Sequence, residues 1–440
     1  MLRRVLLLGV PMVVIALATG AFILHPRKPP CFHVDGRHAL VFRGARVFDG
    51  ENILSDTDVL VVDGTIAAVG TLGCIDPGSA KVEDVETRGD TLLPGLIDAH
   101  THRGEDEEAL AAAVTFGVTT EIDMGGSRPE RLAEIRAKDD PKLADAFGAG
   151  MWVTAPGGHG TEYGGAPGPT LARNDDADAF VAARIAEGSQ FIKLIISSEL
   201  PTLNAEQTRA VVTAAHARDR RVVAHVNTRA DAEVAVDAGV DGLAHLFIDR
   251  LHGKLRNGTP VGWDREAAQR LVEDITRRHI FVIPTLGVLQ SACGIAPGKS
   301  LLGDSHIGPR LSDRARRSLS AEGWGTNSDR DCYEHLTESV SLLRGAVPIL
   351  AGTDAGNRGV THGASLHREL ELLVKAGLTP LEALRAATSA PAAAFESIKE
   401  RGHIAVGARA DLLLVEGDPT QDILATRAIL RVYKHGVQAL

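Results

Sequence analysis

The chain lacks any cysteine pair at C-x2-C spacing and carries only four cysteines in 440 residues, so a thiolate zinc centre is excluded. It also lacks any basic run interleaved with aromatics. Aromatics make up 4% of the residues, the formal net charge is -10 and the isoelectric point is near 5.9, which excludes a nucleic-acid partner. What the chain has is 44% hydrophobic residues over a length able to bury a large core, so it is neither disordered nor fibrous. Cys31 and Cys74 flank a first small β segment, and Cys293 and Cys332 bracket a Gly- and Pro-containing insertion. Two local disulfides in an oxidising compartment fit this placement, but four cysteines allow three pairings, and free buried thiols stay open.

Residues 1–30 stand apart. Arg3 and Arg4 precede an apolar stretch from Val5 to Leu24, which ends in the polar, proline-rich His25-Pro26-Arg27-Lys28-Pro29-Pro30. This segment predicts a membrane address, either a signal peptide or an uncleaved anchor. Ala16-Leu17-Ala18 offers a small-residue cleavage pattern, yet the run continues to Leu24 and is long enough to span a bilayer, which favours the anchor. Either way the remaining chain is expected to be exported, periplasmic or otherwise extracytoplasmic, with membrane contact through residues 5–24 if the segment is retained.

Residues 38–90 read as short alternating strands with glycine-containing breaks, among them His38–Phe48 and Val59–Gly64. The tail from Gly402 repeats this texture in Ala410–Val415 and Arg431–Gly436. Between these ends, strands and helices alternate, predicting a parallel sheet. Strands are expected at Val118–Met124 and Met151–Thr154, and helices at Glu105–Phe116, Arg131–Lys138, Asp175–Gly188, Arg229–Ala238, Arg265–Arg278 and Leu366–Ala376. Asn204 followed by Gln207 forms a capping-box pattern. Residues 286–330 form an insertion that is a candidate lid.

The chemistry begins at Leu92-Leu93-Pro94-Gly95-Leu96-Ile97-Asp98-Ala99-His100-Thr101-His102. In an extended strand, residues i and i+2 share a face, so both imidazoles can reach one cation. A histidine pair alone is weak evidence. Here four further strand-like runs each carry one metal-competent side chain: Lys193 in Phe191–Ile196, His225 in Arg221–Val226, His245 in Gly242–Leu246 and Asp354 in Ile349–Gly356. Such side chains at successive strand ends converge on one site in a parallel barrel.

These six residues, in this order, resemble the amidohydrolase superfamily of metal-dependent hydrolases, from about Val41 to the C-terminus. The resemblance implies an α/β fold: a (β/α)8 TIM barrel over residues 91–399, with a small β-sandwich built from residues 38–90 and 400–440. It implies two divalent metal ions, zinc by default, though manganese or cobalt suit the same ligands. His100, His102 and Asp354 would hold one ion and His225 and His245 the second. Lys193, modified by carbon dioxide to a carbamate, would bridge them. A hydroxide between the ions would then attack an amide carbon, with Asp354 as general base and acid.

Mononuclear deaminases of the superfamily carry a glutamate three residues after the fifth-strand histidine. Here that position is Thr228, which with Lys193 favours a binuclear amidase or dipeptidase. The chain is most similar to the prolidase-like and imidazolonepropionase-related group, through Gly157-Gly158-His159-Gly160, Ala232–Asp241 and Leu366-His367-Arg368-Glu369-Leu370 with Gly377-Leu378-Thr379-Pro380. Ala244-His245-Leu246-Phe247 departs from the Glu-His-Gly usual there, leaving the substrate open between dipeptides and N-acyl amino acids, with a cyclic amide, lactone or phosphotriester as the alternative. His159, in a Gly-rich loop, is a candidate to contact the substrate carbonyl or carboxylate. Tyr163, Arg173, Arg229 and Arg250 are weaker candidates for binding a carboxylate. His216, His252, His279, His306, His335, His362, His367, His403 and His435 are read as structural or solvated. A non-catalytic barrel would be marked by lost ligands, and none is lost. A homo-oligomer is left open.

Overall fold

The computed structural model describes residues 31–34, 36–87, 89–162, 169–247, 263–323 and 330–440. The N-terminal segment, Tyr163, Arg250 and His252 lie outside them.

Both ends of the chain build one eight-stranded sheet. Its order is Val437–Gln438, Ile429–Lys434, Leu412–Val415, Thr91–Pro94, His38–Phe48, Ile53–Val62 and Thr65–Gly70, with Lys81–Glu86 also paired to His38–Phe48. Alternation along His38–Phe48 feeds two apolar clusters: Leu40 and Phe42 pack with Val59, Leu412 and Tyr433, while Ala39 and Val41 pack with Val34 and Leu60. Phe42 meets Tyr433 edge-on, with centroids 5.2 Å apart. Thr91–Pro94 belongs to this sheet, which therefore runs past residue 90, and Leu93 lies opposite Leu413. Cys31 is bonded to Cys74.

Gly95 separates this sheet from the barrel, whose parallel strands are β1 (Leu96–Thr101), β2 (Val118–Asp123), β3 (Asp145–Gly148), β4 (Ile192–Ile195), β5 (Val222–His225), β6 (Gly242–Ala244) and β7 (Phe281–Ile283). The eighth position is the extended run from Ile349. It bridges to Val282, and its Ala351 carbonyl accepts from Ala99 N–H at 2.9 Å, closing the ring on β1. The chain is thus a TIM barrel with a β-sandwich. Met151–Thr154, expected as the third strand, is not one: Asp145–Gly148 takes that place, and only Val153 bridges to Leu194. Gly150, at φ +69°, turns the chain out of the ladder before the Trp152-Val153 run.

Helices alternate with these strands close to the predicted bounds, as in Arg229–Ala238 and Arg265–Arg277, and Asn204 and Gln207 form a complete capping box. On Arg265–Arg277 the buried residues Ala267, Ala268, Leu271, Val272 and Ile275 follow a helical stripe. Leu194, Val222, Leu243 and Val282 join the shell between strands and helices, while Phe191, Val223, Ala244 and Phe281 fill the barrel interior. Phe395 closes the interior from below, 5.2 Å from Phe191 and 5.6 Å from Phe281.

The insertion after β7 is not a loose lid. Leu301, Ile307, Leu311, Ala315 and Leu319 join the main core, Arg314 pairs with Asp106, Arg427 with Asp304, and Cys293 is bonded to Cys332.

Sandwich and barrel are joined by a buried ionic cluster. Arg401 binds Asp145 of β3 at 2.7 Å and Asp411 at 2.8 Å, and Lys434 binds Asp145 at 2.8 Å. Removing one partner strands the others without solvent, so Arg401→Ala is expected to destabilise the chain by about 3–5 kcal/mol. The urea midpoint measures it, and an unchanged midpoint contradicts it.

Candidate metal centre

Both Nε2 atoms of His100 and His102 reach one oxygen, Asp354 Oδ1, at 3.4 and 3.1 Å, and the ligand atoms of these three residues lie within 4.8 Å of one another. The expected same-face geometry is thus present. The backbone clamps the group: Asp354 N–H donates to the His100 carbonyl at 2.7 Å, and Asp354 has a left-handed φ of +60°. Buried Asp98 fixes the junction by accepting from Thr353 Oγ1 at 2.6 Å, Thr353 N–H at 3.0 Å and His100 N–H at 3.2 Å. Asn357 donates to Asp354 Oδ1 at 2.8 Å. His102 Nδ1 donates to the Gly125 carbonyl at 2.9 Å, which turns Nε2 toward Asp354.

The other candidate ligands gather beside them. His245 follows β6 directly, and its ring centroid lies 4.9 Å from His100 and 4.6 Å from His225, which ends β5. His245 Nε2 is 4.0 Å from Asp354 Oδ2. Lys193, in the middle of β4, is buried. Among the described residues its Nζ has no hydrogen-bond partner, nor does His225 Nε2. Buried polar atoms without partners are costly, and here they lie beside residues able to hold a cation.

Electrostatics favour the protonation states a cation needs at all of these groups but His102. Burial, with the charges around them, drives His100 and His225 well below the usual imidazole range and His245 down to about 3. Burial opposes ionisation of Asp354, but His100, His102 and His245 outweigh it and hold the carboxyl well below its usual value. For His102, burial is outweighed by Asp354, and its value rises. Burial lowers Lys193 to about 7. Neutral imidazoles at His100, His225 and His245, an ionised carboxylate and a readily neutral amine suit divalent cations, and His100, His102 and Asp354 are spaced to hold one.

His159 lies at the rim, its ring 4.9 Å from His225, with Nδ1 held 2.5 Å from Glu162 Oε1; Glu162 Oε2 also accepts from Gly160 N–H at 2.6 Å. Arg229, at the start of the helix after β5, is ion-paired to Glu233, and the exposed Arg173 is paired with Asp175. The histidines read as structural include His362, buried against Glu121 at 2.9 Å, and His367, bonded to Thr426 and the Phe116 carbonyl. Sequence reasoning missed Asp98, Glu162, Thr285 and Asn357. Spacing offered a cue for two of them, because Glu162 and Asn357 each stand three residues beyond a chosen residue. A separate cleft of 420 Å³, lined by Arg221, Phe281, Arg344 and Arg385, opens at the strands' N-terminal ends. In barrels of this kind chemistry belongs to the opposite end, where the cluster lies.

The sequence profile of the amidohydrolase family matches residues 91–262 and 326–438. Ochratoxinase of Aspergillus niger is 23% identical over 445 residues, covering 88% of this chain and 83% of its own. Its crystal structure superposes with a TM-score of 0.68 at 20% identity, over 92% of this chain and 96% of that one. Dihydroorotase of Halobacterium salinarum is 25% identical over 378 residues, 76% of this chain and 78% of its own. A Xaa-Pro dipeptidase crystallised with methionine in its active site matches with a TM-score of 0.67 at 21% identity, over 91% of this chain and 99% of that one. With a profile match over most of the chain and the barrel and sandwich around this cluster, the protein belongs to the amidohydrolase family.

Proposed function

We propose that the protein hydrolyses amide C–N bonds of small molecules, dipeptides or N-acyl amino acids, and that it stands in the prolidase-like group. The observation that carries this is the convergence of His100, His102 and His245 on Asp354 beside the partnerless Lys193 and His225. His100, His102 and Asp354 would hold one divalent cation, His225 and His245 a second, with zinc the default and a carbamate on Lys193 shared between them. When bound, such cations acidify water and polarise a carbonyl.

The protein's own groups supply the rest. Asn357 occupies Asp354 Oδ1, leaving Oδ2 to take a proton from the attacking water and pass it to the departing nitrogen. His159, held through Nδ1 by Glu162, presents its other edge to the substrate carbonyl or carboxylate. Carbamate formation joins neutral Lys193 Nζ to the carbon of carbon dioxide with loss of one proton, and the buried, partnerless amine supports it. The two disulfides support an exported location, with residues 5–24 as its anchor or signal.

The likeness to a dihydroorotase keeps a second substrate class, cyclic amides, in view, and lactones and phosphotriesters suit the same site. A panel of Xaa-Pro dipeptides, N-acyl amino acids, cyclic amides, lactones and phosphotriesters separates them. Masking the α-carboxylate is expected to cost more than about tenfold in kcat/KM, the worth of one hydrogen bond to a charged group. Chelation is expected to abolish hydrolysis and added zinc or manganese to restore it. Hydrolysis that survives complete metal removal refutes the proposal.

A further inference from the structure

Strand β7 ends at Ile283, and after Pro284 the chain enters Thr285, which is fully buried with φ +51° and ψ +45°. A β-branched residue in this left-handed region is strained and persists only where its surroundings enforce it. Glycine would sit there without strain. The enforcement comes from Glu369, itself fully buried on the helix Ala364–Lys375. Its two carboxylate oxygens accept from the N–H groups of Leu286 and Gly287, each at 2.8 Å, fixing the residues that follow Thr285. A buried carboxyl group thus holds two backbone amides in one place.

What this holds is a hydroxyl. Thr285 Oγ1 lies 2.7 Å from His245 Nδ1, while His245 Nε2 faces Asp354 Oδ2 at 4.0 Å. His245 has a left-handed φ of +72°, and its backbone N–H donates to the Ile283 carbonyl at 2.9 Å, so histidine and threonine are clamped to the same strand end. An imidazole can give only one ring nitrogen to a cation, and a partner on the other nitrogen decides which.

Resting on the metal-site assignment above, we propose that Thr285 is a positioning residue. Its hydroxyl accepts the Nδ1 proton of His245 and so keeps Nε2 unprotonated and aimed at the second cation, while Glu369 holds the strained backbone that makes this possible. The strain is retained because glycine, which would relieve it, has no hydroxyl.

The test is zinc titration of the purified chain against a chromophoric chelator, with urea midpoints measured in parallel. Wild type and Thr285→Ser are expected to bind two ions alike. Thr285→Val keeps the shape and loses the hydroxyl, and Thr285→Gly loses both hydroxyl and strain. Each is expected to weaken one of the two ions by about 10–100-fold, with the other unchanged. The glycine variant is expected to match or exceed the wild-type midpoint, which a purely structural role would not produce, and the valine variant keeps the test open if glycine fails to fold. Equal zinc affinities in wild type and Thr285→Val, or a serine variant as weak as valine, overturn the Thr285 assignment alone. A wild type that binds no zinc overturns the metal site itself, and this inference with it.

Discussion

Replacing Lys193 with alanine is expected to lower amide hydrolysis by about 10³-fold or more and to reduce bound metal from about two ions per chain to one or fewer. The side chain lies mid-strand in β4, between Ile192 and Leu194 of the outer shell, so alternation turns it toward the barrel interior. There it is buried without a hydrogen-bond partner, its charge felt by His100, His225 and His245. A lysine serving only to pack β4 could be shortened at a cost in stability, with its metal content intact. A bridging carbamate cannot. Elemental analysis of both proteins decides between them: two ions and full activity in the alanine variant would remove the bridging role of Lys193, and one tightly held ion in both proteins would return the chain to a mononuclear mechanism.

The second large effect is expected at Asp354. Asp354→Asn keeps the size and one acceptor but removes the base, so kcat is expected to fall by about 10³–10⁴-fold with a much smaller change in KM. The substitution also removes the negative charge facing His100, His102 and His245. One ion is therefore expected to bind more weakly, and the assay is run at saturating zinc to isolate the proton-transfer loss. A rate within tenfold of wild type under those conditions would take the proton role away from Asp354.

Much of this was legible in the sequence because period and position carried it. The strand His38–Phe48 and the helix Arg229–Ala238 follow from alternation and capping, and each of the six ligand candidates stands in or beside an apolar run. The third barrel strand was misplaced because Trp152-Val153 has the stronger β character, while Gly150 breaks the ladder first. The supporting residues were hidden for another reason. Asp98 is tied to Thr353, and Thr285 to His245, by contacts between segments remote in the chain. No local pattern marks a threonine whose value lies in a strained φ.

The joint between the two ends of the chain has a consequence for how the protein is made. Thr91–Pro94 hydrogen-bonds along Leu412–Val415, Gly95 N–H donates to the Asp411 carbonyl at 2.7 Å, and the next residues are the strand that carries His100. The strand that carries His100 is therefore anchored by residues made much later in the chain. Until they arrive, Thr91–Pro94 keeps an open edge, and a long chain closure must be completed before its contacts repay it, so assembly is slow and exposed to mispairing. A nascent chain stopped before Leu412 already carries all six ligand candidates without the strand that seats the first of them, and so the cluster is expected to mature only once Leu412–Val415 has been made.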